Sequence, residues 1–158
     1  MKSFYKVLSV SVLLAAAFAT GCTTQERSFS SDGAEYIMFA DTIGTYPVIQ
    51  NETFKVPVVS TIACDYDRTF AVEVIDKGSN AIENLHYRLK SNTIVIPAGQ
   101  LRTDVEVEGI CENIGDTDSL GFKLRLVIPS ELEMPMAGTN EKFGLETNCV
   151  LLKVCPFD

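Results

Sequence analysis

The chain has 158 residues, 46% of them hydrophobic, with 13 basic against 21 acidic side chains and a net charge of −8. That length suits one domain with its own core, and the acidic balance argues against nucleic acid or anionic headgroups as the main partner. Five cysteines and a single histidine, His86, match no zinc-ligand spacing.

In chain order, the first element is a targeting signal. Lys2 and Lys6 precede an uncharged apolar run, Val7 to Phe18, and Ala19-Thr20-Gly21 sets small residues before Cys22. These are the three parts of a secretory signal. The run is about a dozen residues, short of the ~20 that a spanning helix needs. Ala-Thr-Gly-Cys resembles a lipobox, in which the thiol accepts a diacylglycerol and becomes the mature N-terminus. The resemblance implies a signal peptide over residues 1–21, lipidation at Cys22 and a membrane partner reached through the lipid anchor. Thr23 follows the cysteine where an inner-membrane signal has Asp. By the sorting rule of enteric bacteria this implies the outer membrane, with the body facing the periplasm or the cell surface. Removal of Lys2 and Lys6 leaves 11 basic against 21 acidic residues, a net charge of −10. Residues 22–34 are the lipidated Cys22 and a polar tether, too poor in apolar side chains to fold alone.

From residue 35 to 158 the pattern changes to period two. Phe54, Val56 and Val58 share one face. Phe70, Val72 and Val74 alternate with Thr69, Ala71 and Glu73; Val105 and Val107 alternate with Asp104, Glu106 and Glu108; Phe122, Leu124 and Leu126 alternate with Lys123 and Arg125. Val150, Leu152 and Val154 close the series, with their face expected inward. Such alternation marks strands with one buried side, and short strands repeated along a whole domain predict an all-β sandwich. Turns are expected at 76–80, 97–100 and 115–118. Ser130 to Met134 suits a single helical turn. Pro57 cannot donate to a ladder, so it marks an edge, a bulge or a place where a strand changes sheets.

The segments Ala81 to Tyr87, Thr93-Ile94-Val95-Ile96-Pro97-Ala98-Gly99, Val105-Glu106-Val107 and Phe122-Lys123-Leu124-Arg125-Leu126 resemble, in order and spacing, the Calx-beta pattern. The chain also resembles Bacteroidetes lipoproteins that carry such an immunoglobulin-like domain after the tether and have no known activity. The resemblance implies a single immunoglobulin-like (Calx-beta-like) β-sandwich over 35–158. Calcium-binding members of that family gather carboxylates at one end of the sandwich. The candidates here are Asp76, Glu112, Asp116 and Asp118. Calcium wants six to eight oxygens, and the consecutive acidic run of the binding members is missing. Asp is also an ordinary turn residue, so solvated turns are the favoured reading, with no cofactor.

Four cysteines follow Cys22. An exported domain sits where disulfides form. In an immunoglobulin-like topology Cys64 and Cys149 would share one end and Cys111 and Cys155 the other, which suggests the pairs Cys64–Cys149 and Cys111–Cys155. The alternative is free, partly buried thiols acting as small hydrophobes.

His86 beside Tyr87 reads as a structural histidine, since no nucleophile or paired carboxylate is placed near it. Glu106 and Glu108 have the ~7 Å spacing of alternate strand positions, within a glycosidase pair's range. Carboxylates alternating with apolar residues nevertheless belong to a solvated sheet face. No G-x-S-x-G, P-loop or H-E-x-x-H is present. The expectation is therefore a non-enzymatic binding or accessory domain with a glycan or protein partner and no nucleic acid. The alternative is a subunit of a surface or fimbrial assembly completed by a donated strand.

Overall fold

The structure, a computed structural model, describes residues 33–154. The signal segment, Cys22, the tether as far as Asp32, and Cys155 lie outside the described residues. Eleven strands follow in order: β1 (Ile37–Phe39), β2 (Ile43–Val48), β3 (Thr53–Ser60), β4 (Arg68–Ile75), β5 (Tyr87–Leu89), β6 (Thr93–Ile96), β7 (Arg102–Gly109), β8 (Ser119–Val127), β9 (Met134–Pro135), β10 (Lys142–Phe143) and β11 (Glu146–Lys153). Single 3₁₀ turns stand at Cys111–Asn113 and Ser130–Leu132, the second where one helical turn is expected. No helix among the described residues is long and apolar enough to cross a membrane.

The strands form two sheets, β1-β3-β7-β5 and β2-β11-β8-β4-β6, with β9 and β10 as a separate small hairpin. The inward faces are those of the alternating apolar sets: Val56 and Val58, Phe70 and Val72, Val105 and Val107, Phe122, Leu124 and Leu126 are all buried. Burial of each such side chain stabilises the fold by roughly 1.5–3 kcal/mol. Two aromatic stacks bridge the layers. Tyr87 of β5 lies on Phe122 of β8 with ring centroids 3.9 Å apart, and Tyr46 of β2 lies on Phe54 of β3 at 4.3 Å.

The chain changes sheets between β1 and β2. β1 pairs antiparallel with β3, while β2 crosses to the other sheet and runs parallel to β11. Pro57 sits where β1 departs. Its carbonyl accepts Ala40 N–H at 2.9 Å, and the donor it lacks points to the same side, where the pairing ends at Phe39↔Val58. A proline in an interior strand is tolerated there because no ladder bond is lost. Gly144 covers the other side of β1, accepting Phe39 N–H at 2.7 Å. Its φ is +69°, and a Cβ there would stand 2.6 Å from Met38 Cβ, so only glycine fits.

The predicted turns form as expected: Ser79 N–H donates to Asp76, Gln100 N–H to Pro97 and Asp118 N–H to Gly115. The last strand corrects the sequence reading. Thr147, Cys149 and Leu151 face inward, while Leu152 and Val154 are 38% and 39% exposed. Cys149 lies opposite Phe122 and Leu151 opposite Leu120 on β8. Facing residues of paired strands share a side, so inward Phe122 forces Cys149 inward and Val150 outward.

The same stagger overturns the Cys64–Cys149 pair; both thiols are free. Cys64 precedes the start of β4. Cys149 is level with Phe122, one step beyond the β8 residue that faces Ile75 at the end of β4. The eight residues of β4 separate them by about 25 Å along the strand direction, against the ~6 Å between Cα atoms that a disulfide spans. The expectation placed Cys149 at the start of the last strand, but β11 begins at Glu146, already level with Glu73. Cys111–Cys155 involves a residue outside those described.

The strand directions define two ends. Residues 33–36 enter at the first end, which also carries the loops 61–67 and 97–101 and the connection 128–145. At the second end lie the loops 49–52, 76–86 and 110–118, together with the finish of β11. The first end is fastened by Arg68, a buried residue on the inward parity of β4. Its guanidinium donates to the Glu35 carboxylate, to Ser60 Oγ at 2.8 Å, to Ile62 O at 3.0 Å and to Gln100 O at 2.9 Å. One side chain thus ties the incoming segment to β3, β4 and the β6–β7 loop.

Candidate functional site

An open cleft of about 570 Å³ lies at the second end, lined by Ile49, Gln50, Asn51, Glu52, Cys111, Glu112 and Lys153. The chain leaves β2 at Val48 and reverses through 49–52 into β3. Glu52 N–H donates to Gln50 O at 2.8 Å, and Gly109 N–H donates to Glu52 O at 2.9 Å. The close approach of β7 requires glycine at 109, because a Cβ there would stand 2.8 Å from Val48 Cγ2. The 3₁₀ turn at Cys111–Asn113 forms the opposite wall. Asn51 Oδ1 accepts Cys111 N–H at 2.9 Å, and the Cys111 thiol donates to Ile49 O at 3.3 Å. Asn113 holds the neighbouring loop by donating to Leu85 O at 2.7 Å. Lys153 closes the third side, its ammonium 2.8 Å from Asp116 Oδ1.

The lining combines amides that donate and accept, carboxylates that only accept and an ammonium that only donates. A hydroxyl-rich ligand offers both roles at every hydroxyl, so the set is suited to it. The Cys111 thiol in the cleft is bonded to backbone carbonyls rather than to a base.

The four calcium candidates do not form a site. Among the described residues no group of three or more acidic, histidine or cysteine side chains is placed to hold a metal. Asp118 Oδ2 accepts Gly115 N–H at 3.0 Å and so closes its own turn. Asp116 pairs with Lys153, Asp76 contributes its backbone carbonyl to the 76–79 turn, and Glu112 lies in the cleft. Glu112, Asp116 and Asp118 share the 110–118 loop and Asp76 lies in another, but their carboxylates do not converge: Asp118 closes a turn and Asp116 faces Lys153.

His86 Nδ1 accepts Ile82 N–H at 2.9 Å, and the backbone N–H of His86 donates to Ile82 O at 2.9 Å. The ring pins the 82–86 turn, where Asn84 adopts φ +64°. Glu106 and Glu108 lie on an outer sheet face. Glu106 is 3.9 Å from Lys55 Nζ, while Glu108 is 3.4 Å from Arg88 and 3.0 Å from Lys90. Cys149 is sealed beneath the sheet, and burial pushes its thiol up to about 12. Tyr46, also raised by burial, titrates at about 12.

Gln50, Asn51, Glu52 and Lys153 were not marked by the sequence as site residues. The only local signal was polar Gln50-Asn51-Glu52 between two apolar runs, which indicates a turn. The meeting of residues 50–52 with Lys153 depends on β2 lying beside β11, a contact between distant segments.

No protein-family model matches the chain, and no curated protein matches it. Solved structures do. A protein of unknown function from Bacteroides ovatus superimposes with a TM-score of 0.57 at 15% identity, over 74% of this chain and 44% of that one. CBD12 from CALX1.2 superimposes with a TM-score of 0.54 at 17% identity, over 75% and 44%. The fold is Calx-beta-like. A "putative carbohydrate binding protein" from Bacteroides ovatus gives a TM-score of 0.51 at 17% identity, over 75% of this chain and 37% of that one. The Calx-beta-like chain thus spans less than half the length of each of these proteins.

Proposed function

We propose that this chain is a non-catalytic, lipid-anchored envelope domain that binds a glycan in the cleft of its second end. The carrying observation is the lining itself: Gln50, Asn51, Glu52, Glu112 and Lys153 converge from three segments on an open volume of about 570 Å³. That volume lies within the ~300–1,000 Å³ range of small-molecule sites. The anchor at Cys22 and the outer-membrane address come from the lipobox resemblance. They are compatible with the entry of the chain at the first end, which leaves the cleft at the end away from the tether. One structural neighbour's description as carbohydrate binding adds a reason to test glycans first.

A surface or fimbrial assembly completed by a donated strand has less support. Such a subunit needs an open groove in its sheet. Here β11 pairs with β8 from Glu146 to Leu152, and β2 covers its other edge from Asn148 to Lys153.

The test is a glycan array probed with the mature protein and with the double variant Gln50→Ala/Glu52→Ala. Binding by the parent and loss in the variant are expected. Equal binding by both, or no binding by the parent, would overturn the assignment of the cleft.

A further inference from the structure

Among the described residues, the exposed large aromatic side chains are confined to the first end, which also carries aliphatic ones such as Val127 (48% exposed). At the first end stand Tyr66 (58% exposed), Leu101 (48%), Met136 (41%) and Phe143 (41%). At the second end they are aliphatic: Ile49, Ile82, Leu85 and Val154. Both aromatic members of the exposed set are therefore at the end where the chain enters. Tyr66 is in the β3–β4 loop and Leu101 follows the β6–β7 turn. Met136 and Phe143 belong to the β9–β10 hairpin in the connection leaving β8.

We propose that this end docks on the surface of the bilayer that holds the anchor, with Tyr66, Leu101, Met136 and Phe143 entering the headgroup–acyl boundary. The proposal rests on the reading of Cys22 as acylated. Eleven peptide links join Cys22 to Gly33, and fully extended they span at most about 40 Å. Gly33 is fixed to the first end, because Ala34 O accepts from Thr61 Oγ1 at 3.0 Å and Glu35 pairs with Arg68. The tether therefore joins the body beside these four side chains, while those of the second end lie a strand length, about 25–30 Å, farther from the point of attachment. Aromatic rings favour the membrane interface, and tethering raises their effective concentration there.

Charge selects the kind of lipid. Asp65, Asp67, Glu131 and Glu141 outnumber the cations of these loops, so attraction to anionic headgroups is not the driving force. The surface expected is zwitterionic, and docking should weaken as anionic lipid is added and be insensitive to salt without it. The body would then stand with the cleft of the second end turned away from the membrane.

The chain contains no tryptophan, so one introduced indole reports alone. Phe143→Trp, Leu101→Trp and Ile82→Trp are each made in the full lipidated chain. The proteins are reconstituted into phosphatidylcholine vesicles with plain or brominated acyl chains. Tryptophan at 143 and at 101 should lose most of its emission in brominated vesicles and shift to shorter wavelength, while that at 82 should keep its emission. The proposal is overturned if all three stay equally bright in vesicles that carry the protein, or if 82 is quenched as strongly as 143. A lipid-processed protein that fails to float with the vesicles would overturn the anchor reading on which the proposal rests.

Discussion

Glu35→Ala tests how the entering segment is fastened to the body. Arg68 is 5% exposed, and its side chain 4%. Its Nε has no hydrogen-bond partner, so the guanidinium depends on the acceptors around Nη1 and Nη2. Three of those are neutral; Glu35 supplies the only negative charge among them. Loss of one partner of a buried pair costs about 3–5 kcal/mol, because the remaining charge is left uncompensated in a low-dielectric site. Glu35 keeps 19% side-chain exposure, which places the expected cost near the lower end, about 3 kcal/mol. For a domain of this size that lowers Tm by roughly 10–15 °C. Thermal and urea unfolding followed by circular dichroism would measure it. Arg68→Met should rescue part of the loss in the double variant, since no bare cation then stays buried. A Glu35→Ala cost below about 1 kcal/mol, the value of an exposed ion pair, or additive effects of the two changes, would contradict a charge-compensating role for Glu35 at buried Arg68.

Two further outcomes concern the thiols and tyrosines. Cys149, Tyr46 and Tyr87 are held neutral by burial, with pKa values above their ordinary ones. Unfolding would release their protons once pH exceeds the unfolded values, so stability should fall as pH rises above about 9. Cys149 alone contributes roughly 1.4 kcal/mol per pH unit between about 9 and 12; a urea midpoint flat from pH 8 to 11 would contradict this. Separately, Val154 N–H donates to Val48 O at 3.1 Å, and the Cys111 thiol lies 3.7 Å from the same oxygen. Cys155 follows Val154 in the chain, so peptide mapping of the non-reduced exported protein should find Cys111 linked to Cys155, with Cys64 and Cys149 free. Four alkylatable thiols in that protein would exclude the link.

The sequence was most legible where apolar and polar residues alternate cleanly. Four inward faces, from Phe54 to Val58, Phe70 to Val74, Val105 to Val107 and Phe122 to Leu126, followed from parity alone. Parity is silent where every residue is apolar: Cys149-Val150-Leu151-Leu152 fits either face, and only the register with β8 decides. β1 was hidden for a related reason. Ile37, Met38 and Phe39 are all buried, because Gly144 packs over the side that would otherwise face water, so no period of two survives. Arg68 could have been noticed, since it shares parity with Phe70 and Val72 and an inward arginine requires a partner. The partner, Glu35, is 33 residues away in the chain, beyond any local pattern. The cleft was illegible for the same reason: its walls come from segments far apart in the chain.

The anchor, the outer-membrane address and the docking of the first end all depend on Cys22. Cells producing the full chain and its Cys22→Ala variant can be fed an alkyne-bearing fatty acid and the purified proteins coupled to a fluorophore. Acylation at Cys22 predicts a labelled parent and an unlabelled variant. An unlabelled parent, or label that persists on Cys22→Ala, would contradict it.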